Sequence, residues 1–387
     1  MTEHALPQPK GFLTAVSNIG IKDETEDFVC IYSEAPCVSA GVFTQSRFAG
    51  PSVLLSREHL AHGNNRAIVA ISKNANVATG AEGERDARDI VAGIAQALAI
   101  SPEHVLIAST GVIGRRYPME KIRPHLASLR THLHAADFAA AARGIMTTDL
   151  VPKLAVARVG DAVLLGIAKG VGMIEPNMAT LLTFFMTDAA IEREQLDAVF
   201  RRVMDKSFNC LSVDTDTSTS DTALILANGL AGPVDLAAFE AALLDISLQL
   251  VKKIARDGEG ATKMLEVTVE HARDDRQAKR VAKAIVNSPL VKTAAHGADP
   301  NWGRVVMAIG KCDDELDIDP AKVSVAFGDM EVYPRQLGEA ALAELKTVLT
   351  RDEIVIRVSL GLAEGRATVW GCDLSAGYVK INGEYTT

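Results

Sequence analysis

The chain has 387 residues, 48% apolar and 23% charged, which is the composition of a globular protein long enough for two domains. A formal net charge of −9 lacks the basic footprint that phosphate binding needs and argues against nucleic acid as the main partner. No signal-peptide core follows Met1 and no apolar run approaches the roughly eighteen residues of a membrane helix, so a cytoplasmic protein without a membrane anchor is expected.

Short β-like runs come first, over 27–32, 38–43 and 66–71. Apolar residues at helical spacing (Ile90, Val91, Ile94, Leu98) predict a helix over 84–99. A buried strand at 105–108 runs into Ser109-Thr110-Gly111, and helices are predicted over 118–132 and 135–145. Strands follow at 154–159, 162–168 and 180–188, then helices at 193–208 and 234–256. The stretch 277–310 reads as helical, broken near Ser288-Pro289 and Asp299-Pro300. A helix near 336–349 and strands near 353–360 and 366–371 complete the pattern. Strands and helices alternate throughout, which implies an α/β or α+β fold with layered sheets, and no linker marks a domain boundary.

Residues 169–180, Lys-Gly-Val-Gly-Met-Ile-Glu-Pro-Asn-Met-Ala-Thr, are the most informative about chemistry. A glycine loop and a Pro-Asn turn lead to Ala179-Thr180, and a β-prone apolar run follows at once. If the Ala179–Thr180 bond is cut, Thr180 carries a hydroxyl nucleophile and its own α-amine as base. Taken alone, the segment is equally a loop entering a buried strand. Gly170-Val171-Gly172 is not a dinucleotide loop, because Glu175 stands where its third glycine belongs. Ser109-Thr110-Gly111 can present N–H donors and a hydroxyl to an oxyanion, or simply end a strand. Met146-Thr147-Thr148-Asp149 suits a turn or cap, and Lys169 can meet a carboxylate or face solvent.

Glu259, held between Gly258 and Gly260, suits a site where backbone approaches a ligand closely. The carboxylate-rich 213–221 segment lacks the glycine and terminal Glu of a calcium loop. His296 and Asp299 form a weak candidate pair, since no G-x-S-x-G accompanies them. Histidines and cysteines lack zinc-ligand spacing, so no metal is expected. The five cysteines (Cys30, Cys37, Cys210, Cys312, Cys372) are scattered, which fits reduced thiols.

Taken together, these segments resemble the ornithine acetyltransferase (glutamate N-acetyltransferase) family of arginine biosynthesis, over essentially the whole chain. The resemblance is carried by Gly41-Val42-Phe43-Thr44, Asn74-Ala75-Asn76-Val77-Ala78-Thr79-Gly80, Ser109-Thr110-Gly111-Val112-Ile113-Gly114 and Gly172-Met173-Ile174-Glu175-Pro176-Asn177-Met178-Ala179-Thr180. Asp216-Thr217-Ser218-Thr219, Asp257-Gly258-Glu259-Gly260, His296-Gly297-Ala298-Asp299-Pro300-Asn301-Trp302-Gly303 and the terminal Ile381-Asn382-Gly383-Glu384-Tyr385-Thr386-Thr387 extend it.

The resemblance implies a self-processing fold of stacked β-sheets flanked by helices, related in style to N-terminal nucleophile enzymes. It places a self-cleavage between Ala179 and Thr180, giving an α chain (1–179) and a β chain (180–387) that stay together, often as α2β2. Thr180 becomes nucleophile and α-amine base, Thr110 and Gly111 the oxyanion hole, and Thr147, Lys169, Thr180, Glu259, Asn382 and Thr387 line the substrate site. The implied reaction moves an acetyl group from N2-acetylornithine to glutamate by a ping-pong acetyl-Thr180 route, with Lys169 facing a carboxylate and Glu259 an ammonium. No cofactor is implied, and acetyl-CoA stays open as a co-substrate.

Three departures from the family pattern occur: Val171 for Ser, Leu181 for Met, and Ser72-Lys73-Asn74-Ala75-Asn76 for Asn-Ser-Gly-Asn-Ala-Asn. They are similar to the branch associated with clavulanic-acid-type pathways, which leaves primary arginine synthesis and specialised metabolism both open. A self-cleaving amidohydrolase or aminopeptidase with the same nucleophile is the alternative enzyme, and a metabolite-binding protein without turnover is the non-enzymatic one.

Overall fold

The computed structural model describes residues 6–175, 181–335 and 337–384. Ala179, Thr180 and Thr387, named above, lie outside the described residues. Strands β1 (Phe12–Ser17), β2 (Phe28–Ser33) and β3 (Val38–Phe43) lead to α1 (Pro51–Leu60), β4 (Ala67–Ile71), α2 (Gly80–Leu98) and β5 (Val105–Ser109). Next come α3 (Met119–His132), the short β6 (His134–Ala135), α4 (Phe138–Gly144), β7 (Lys153–Val159), β8 (Ala162–Lys169) and β9 (Leu182–Ala190). Helix α5 (Arg193–Lys206), β10 (Thr222–Pro233), α6 (Leu236–Arg256) and β11 (Met264–Ala272) follow. The chain ends with α7 (Asp275–Val286), α8 (Pro289–His296), α9 (Gly303–Gly310), β12 (Ser324–Phe327), β13 (Met330–Tyr333), α10 (Glu339–Leu349), β14 (Glu353–Ser359), β15 (Gly365–Cys372) and α11 (Ala376–Glu384).

Three sheets form, with strand orders β5-β4-β2-β1-β6, β3-β10-β9-β8-β7 and β13-β12-β14-β11-β15. The first two stack face to face, joined by a core of Ile31, Ile68 and Leu106 from one and Ile167, Phe184 and Leu224 from the other. Helices α2 and α3 cover the outer face of the first sheet through Ile90, Ile94, Ile122 and Leu126. Helices α5 and α6 cover the outer face of the second, where Phe200, Phe239 and Leu250 meet Phe185. The third sheet continues that same core. The result is the α/β fold of stacked sheets flanked by helices that the sequence predicts.

Most predicted elements fall within a few residues of those observed, and the breaks at 288–289 and 299–300 separate α7, α8 and α9. Ser288 accepts the Val291 N–H and Pro289 opens α8, so capping chemistry sets that boundary. The helix predicted from 135 begins at Phe138, because His134 and Ala135 pair with β1 and Asp137 caps the helix at Ala140. The sequence reading misses α1, whose buried face includes Ser52 and Ser56. Their hydroxyls bond Ser109 Oγ at 2.8 Å and the Ile107 carbonyl at 2.6 Å, so a polar stripe faces the interior and defeats an apolar-periodicity test.

Strand β9 supplies both cores by alternation: Leu182, Phe184 and Met186 face the first sheet, and Phe185 and Ala189 face α5 and α6. Phe185 is fully buried and meets the rings of Phe200 and Phe208 edge-on at 5.9 and 6.3 Å. Phe185→Ala is expected to lower stability by about 3–5 kcal/mol, read as a shift in the urea unfolding midpoint.

Candidate active site

Antiparallel pairing of β8 with β9 sets Lys169 opposite Leu182, and parallel pairing of β10 with β9 sets Thr222 opposite the same residue. Asp221, just before β10, therefore lies at the same end of the sheet, where the Thr222 N–H bonds the Leu181 carbonyl at 2.9 Å. Strand β5 ends at Ser109, which brings Thr110 and Gly111 onto the stacked sheet above. The Asp257–Gly260 turn closes the cleft where α6 ends, with the Glu259 N–H bonded to the Val171 carbonyl at 2.8 Å.

The cleft has a volume of about 150 Å³, and Thr110, Gly111, Thr147, Lys169, Glu259 and Asn382 all line it. Six residues singled out from segments up to 272 positions apart thus meet around one space. Thr148, Met173, Ser218 and Asp221 line it too and were not singled out as site residues from sequence. For Thr148 and Asp221 the signal was weak, a hydroxyl beside a better-matched Thr147 and a carboxylate in a run of polar turn residues.

Lys169 is buried, and its Nζ donates to Thr110 Oγ1 at 3.2 Å. The Thr110 backbone N–H is committed to the Ile71 carbonyl at 3.0 Å. Thr110 therefore has its hydroxyl proton to offer the cleft, oriented by the lysine behind it. Gly111 has φ +131°, and a Cβ there would stand 2.2 Å from the Lys73 carbonyl carbon, so only glycine lets this turn lie against the 73–74 backbone. Burial lowers the Lys169 pKa, opposed by the charge of Asp149 and assisted by the nearby charge of Lys153.

Glu259 Oε1 accepts from Thr148 Oγ1 at 3.0 Å and Oε2 from Asn382 Nδ2 at 2.9 Å. A Cβ on Gly172 would meet Glu259 Oε2 at 2.3 Å, so that glycine of the 169–172 loop makes room for the carboxylate. The glycines around Glu259 have a different reason from the predicted ligand approach: Gly258 packs on Cys372, and Gly260 on the Gly377–Tyr378 backbone where α11 docks. The cleft lining thus combines a cation and a hydroxyl, Lys169 and Thr110, with the carboxylates of Glu259 and Asp221.

The segment before residue 176 is anchored to the 213–214 backbone and side chain. Asp214 accepts the N–H groups of Met173 and Ile174 at 2.7 and 2.8 Å, and Ile174 in turn accepts the Val213 N–H at 2.7 Å. The acidic 213–221 segment is therefore a backbone clamp, and no group of three His, Cys, Asp or Glu among the described residues is placed to hold a metal. His296 pairs with Asp373 at 2.8 Å rather than with Asp299, because Asp373 also accepts Thr262 at the end of the Glu259 turn. The five cysteines are free and buried, and burial pushes the Cys30 thiol up to about 12. At the departures from the family pattern, Val171 and Leu181 have buried side chains, Leu181 within the cleft lining, and the Lys73 ammonium reaches Asp23 at 2.6 Å.

The ArgJ family profile matches residues 13–387. An arginine biosynthesis bifunctional protein ArgJ 2 from Nostoc sp. is 60% identical over 387 residues, covering all of both chains. A glutamate N-acetyltransferase Oat2 from Streptomyces clavuligerus is 55% identical, again over all of both. Among solved structures, an arginine biosynthesis bifunctional protein ArgJ from Bacillus halodurans matches 52% of this chain and 98% of its own, with 39% identity and a TM-score of 0.49.

Gly111→Ala is expected to cost about 1–3 kcal/mol of backbone strain, before the added clash with Lys73. Chemical unfolding should detect that loss, whereas Gly114→Ala, also at positive φ but in open space, should show strain alone.

Proposed function

The chain belongs to the ArgJ family, and from that membership we propose that it is a self-processing glutamate N-acetyltransferase. It moves the acetyl group of N2-acetyl-L-ornithine to L-glutamate, releasing L-ornithine and N-acetyl-L-glutamate. One observation carries the reading: Thr110, Lys169 and Glu259 converge on a cleft whose lining includes Leu181, the residue covalently joined to Thr180.

In the proposed mechanism the chain first cleaves between Ala179 and Thr180, consuming one water. The freed Thr180 α-amine has an ordinary pKa of about 7.7–8.0 and is partly neutral near pH 7.5, so it can take the hydroxyl proton. Thr180 Oγ attacks the acetamide carbonyl, and the oxyanion is met by the Thr110 hydroxyl and the Gly111 N–H. The C–N bond breaks, the α-amine returns its proton to the departing nitrogen, and ornithine leaves an acetyl ester on Thr180. The neutral amine of glutamate then attacks that ester, and its proton passes to Thr180 as the hydroxyl re-forms. Lys169 holds the substrate carboxylate, while Glu259, oriented by Thr148 and Asn382, holds the ammonium. Thr147 and Thr387 complete the lining.

Cleavage would leave the pieces interlocked, since β3, β8 and β7 come from 1–179 and β10 and β9 from 180–387 within one sheet. We further read the working assembly as α2β2 and its location as cytoplasmic, in keeping with a biosynthetic acyltransferase. No cofactor takes part. Acetyl-CoA enters as a second donor only if its thioester reaches Thr180.

Denaturing electrophoresis with mass determination should find two pieces divided after Ala179, and Thr180→Ala should give one uncut chain without acetyl exchange. Ornithine release from acetylornithine should depend on glutamate, and equal release without it would instead indicate a hydrolase. In the same exchange assay acetylornithine should outpace acetyl-CoA as donor. A variant Thr180→Ala that still exchanges acetyl groups overturns the mechanism.

Lys169 gives a pH signature. Its charged form binds carboxylate, and burial lowers its pKa, so the charge is lost on raising the pH before an ordinary lysine near 10.4 would lose it. The KM for glutamate should therefore climb on the alkaline side below that value, while Lys169→Met should have a high KM without this climb.

A further inference from the structure

Beneath the cleft lies a fully buried cation. Lys153, at the start of β7, has no exposed surface, and its Nζ donates to Asp149 Oδ1 at 2.7 Å and Asp257 Oδ2 at 2.6 Å. Both carboxylates also hold backbone from segments that line the cleft. Asp149 Oδ1 accepts the Gly170 N–H at 2.7 Å and Oδ2 the Thr147 N–H at 3.1 Å. Asp257, two residues before Glu259 in the chain, accepts the Leu150 N–H through Oδ2 at 3.1 Å. One ammonium therefore joins the 147–150, 169–172 and 257–260 segments.

A buried ion cluster is weak evidence for stability, because well-packed apolar side chains of similar volume often do as well. Its consequence here is for Lys169. That second buried lysine is adjacent to Gly170, whose N–H sits on Asp149, yet its Nζ is directed to Thr110 and makes no ion pair among the described residues. Lys153 takes both Asp149 and Asp257, while the carboxylates of Glu259 and Asp221 also act on Lys169 through their charge. If Lys153 were neutral, Asp149 would be a free anion next to Lys169, and in a buried setting the ammonium would turn to it.

We propose that Lys153 is a positioning residue: by occupying Asp149 and Asp257 it keeps the Lys169 ammonium on Thr110 and open to the substrate carboxylate. This rests on the assignment of the cleft as the acetyl-transfer site.

The test compares two variants whose charges stay tolerable in the interior. Lys153→Met/Asp257→Asn leaves Asp149 with Lys169 as its available counter-ion, so the ammonium should be captured. Lys153→Met/Asp149→Asn/Asp257→Asn removes the captor while an amide oxygen still accepts the Gly170 N–H. With folding checked by circular dichroism, glutamate affinity by calorimetry and the KM in acetyl exchange should both weaken at least tenfold in the first variant. They should return to within about threefold of the parent in the second. A purely structural role would move melting temperature and leave glutamate binding per folded molecule alike in both. Equal affinity in the two variants, parent-like affinity in the first, or failure of either to fold overturns the proposal. A parent that does not bind glutamate, or exchanges acetyl groups without Thr180, instead removes the functional reading on which it rests.

Discussion

The structure turns on β9. Its alternating side chains are buried in both directions, so the strand is the shared wall of two cores and cannot slip by one residue without reversing which core each side chain enters. That fixed register has a chemical result. Lys169 on one side and Thr222 on the other are both locked opposite Leu182, at the strand's first position. Leu181, just before β9, therefore lines the cleft together with a lysine, a carboxylate and the residues that follow β5. Precision at the cleft follows from apolar packing that extends well behind it.

The polar side of the cleft is built on the opposite principle. Lys153, Lys169 and Asp149 are charged groups withdrawn from water, and each is retained by specific bonds rather than by packing. Burial on its own pushes the Asp149 carboxyl up, but the charges of Lys169 and Lys153 and the bonds from Lys153 and the Gly170 N–H hold it below the usual carboxylate range. Asp149 is thus an anion wherever the protein is folded near neutrality, and its field acts on a lysine whose own burial favours the neutral form. Because these groups are buried, solvent screens their interactions less than those of the exposed pairs elsewhere on the molecule.

The sequence was most legible where burial is one-sided and apolar. The periodicity of α2 and α5, the alternation in β14 and the proline breaks of α7 to α9 all report local geometry directly. It was least legible where the interior is polar. The buried serines of α1 hide a helix, and β10, whose central residues 222–227 are all buried, carries no alternation to declare itself. The site was legible chiefly through resemblance: Thr110 and Glu259 each suit a site in their own windows, but a strand end or an ordinary turn fits those windows as well. Lys153 could not have been found at all, since its partner Asp257 is 104 residues away and nothing local separates a lysine in a strand from a solvated one. The glycines around Glu259 show the reverse error, a feature correctly noticed and given the wrong cause.

Sheet connectivity also bears on why the proposed cut would be compatible with a folded product. Position 180 lies between β8 and β9, adjacent strands of the middle sheet whose pairing runs from Leu164–Thr187 to Lys169–Leu182. The strand order β3-β10-β9-β8-β7 places the two strands of one piece between strands of the other, so both edges of the inserted pair are satisfied across the cut. Separating the pieces would expose two rows of unpaired backbone N–H and C=O groups and open both cores at once. A cut at the proposed point would therefore leave the strand pairing on both sides of it intact. It would add an amine one residue before Leu181, which lines the cleft beside Lys169 and Thr110.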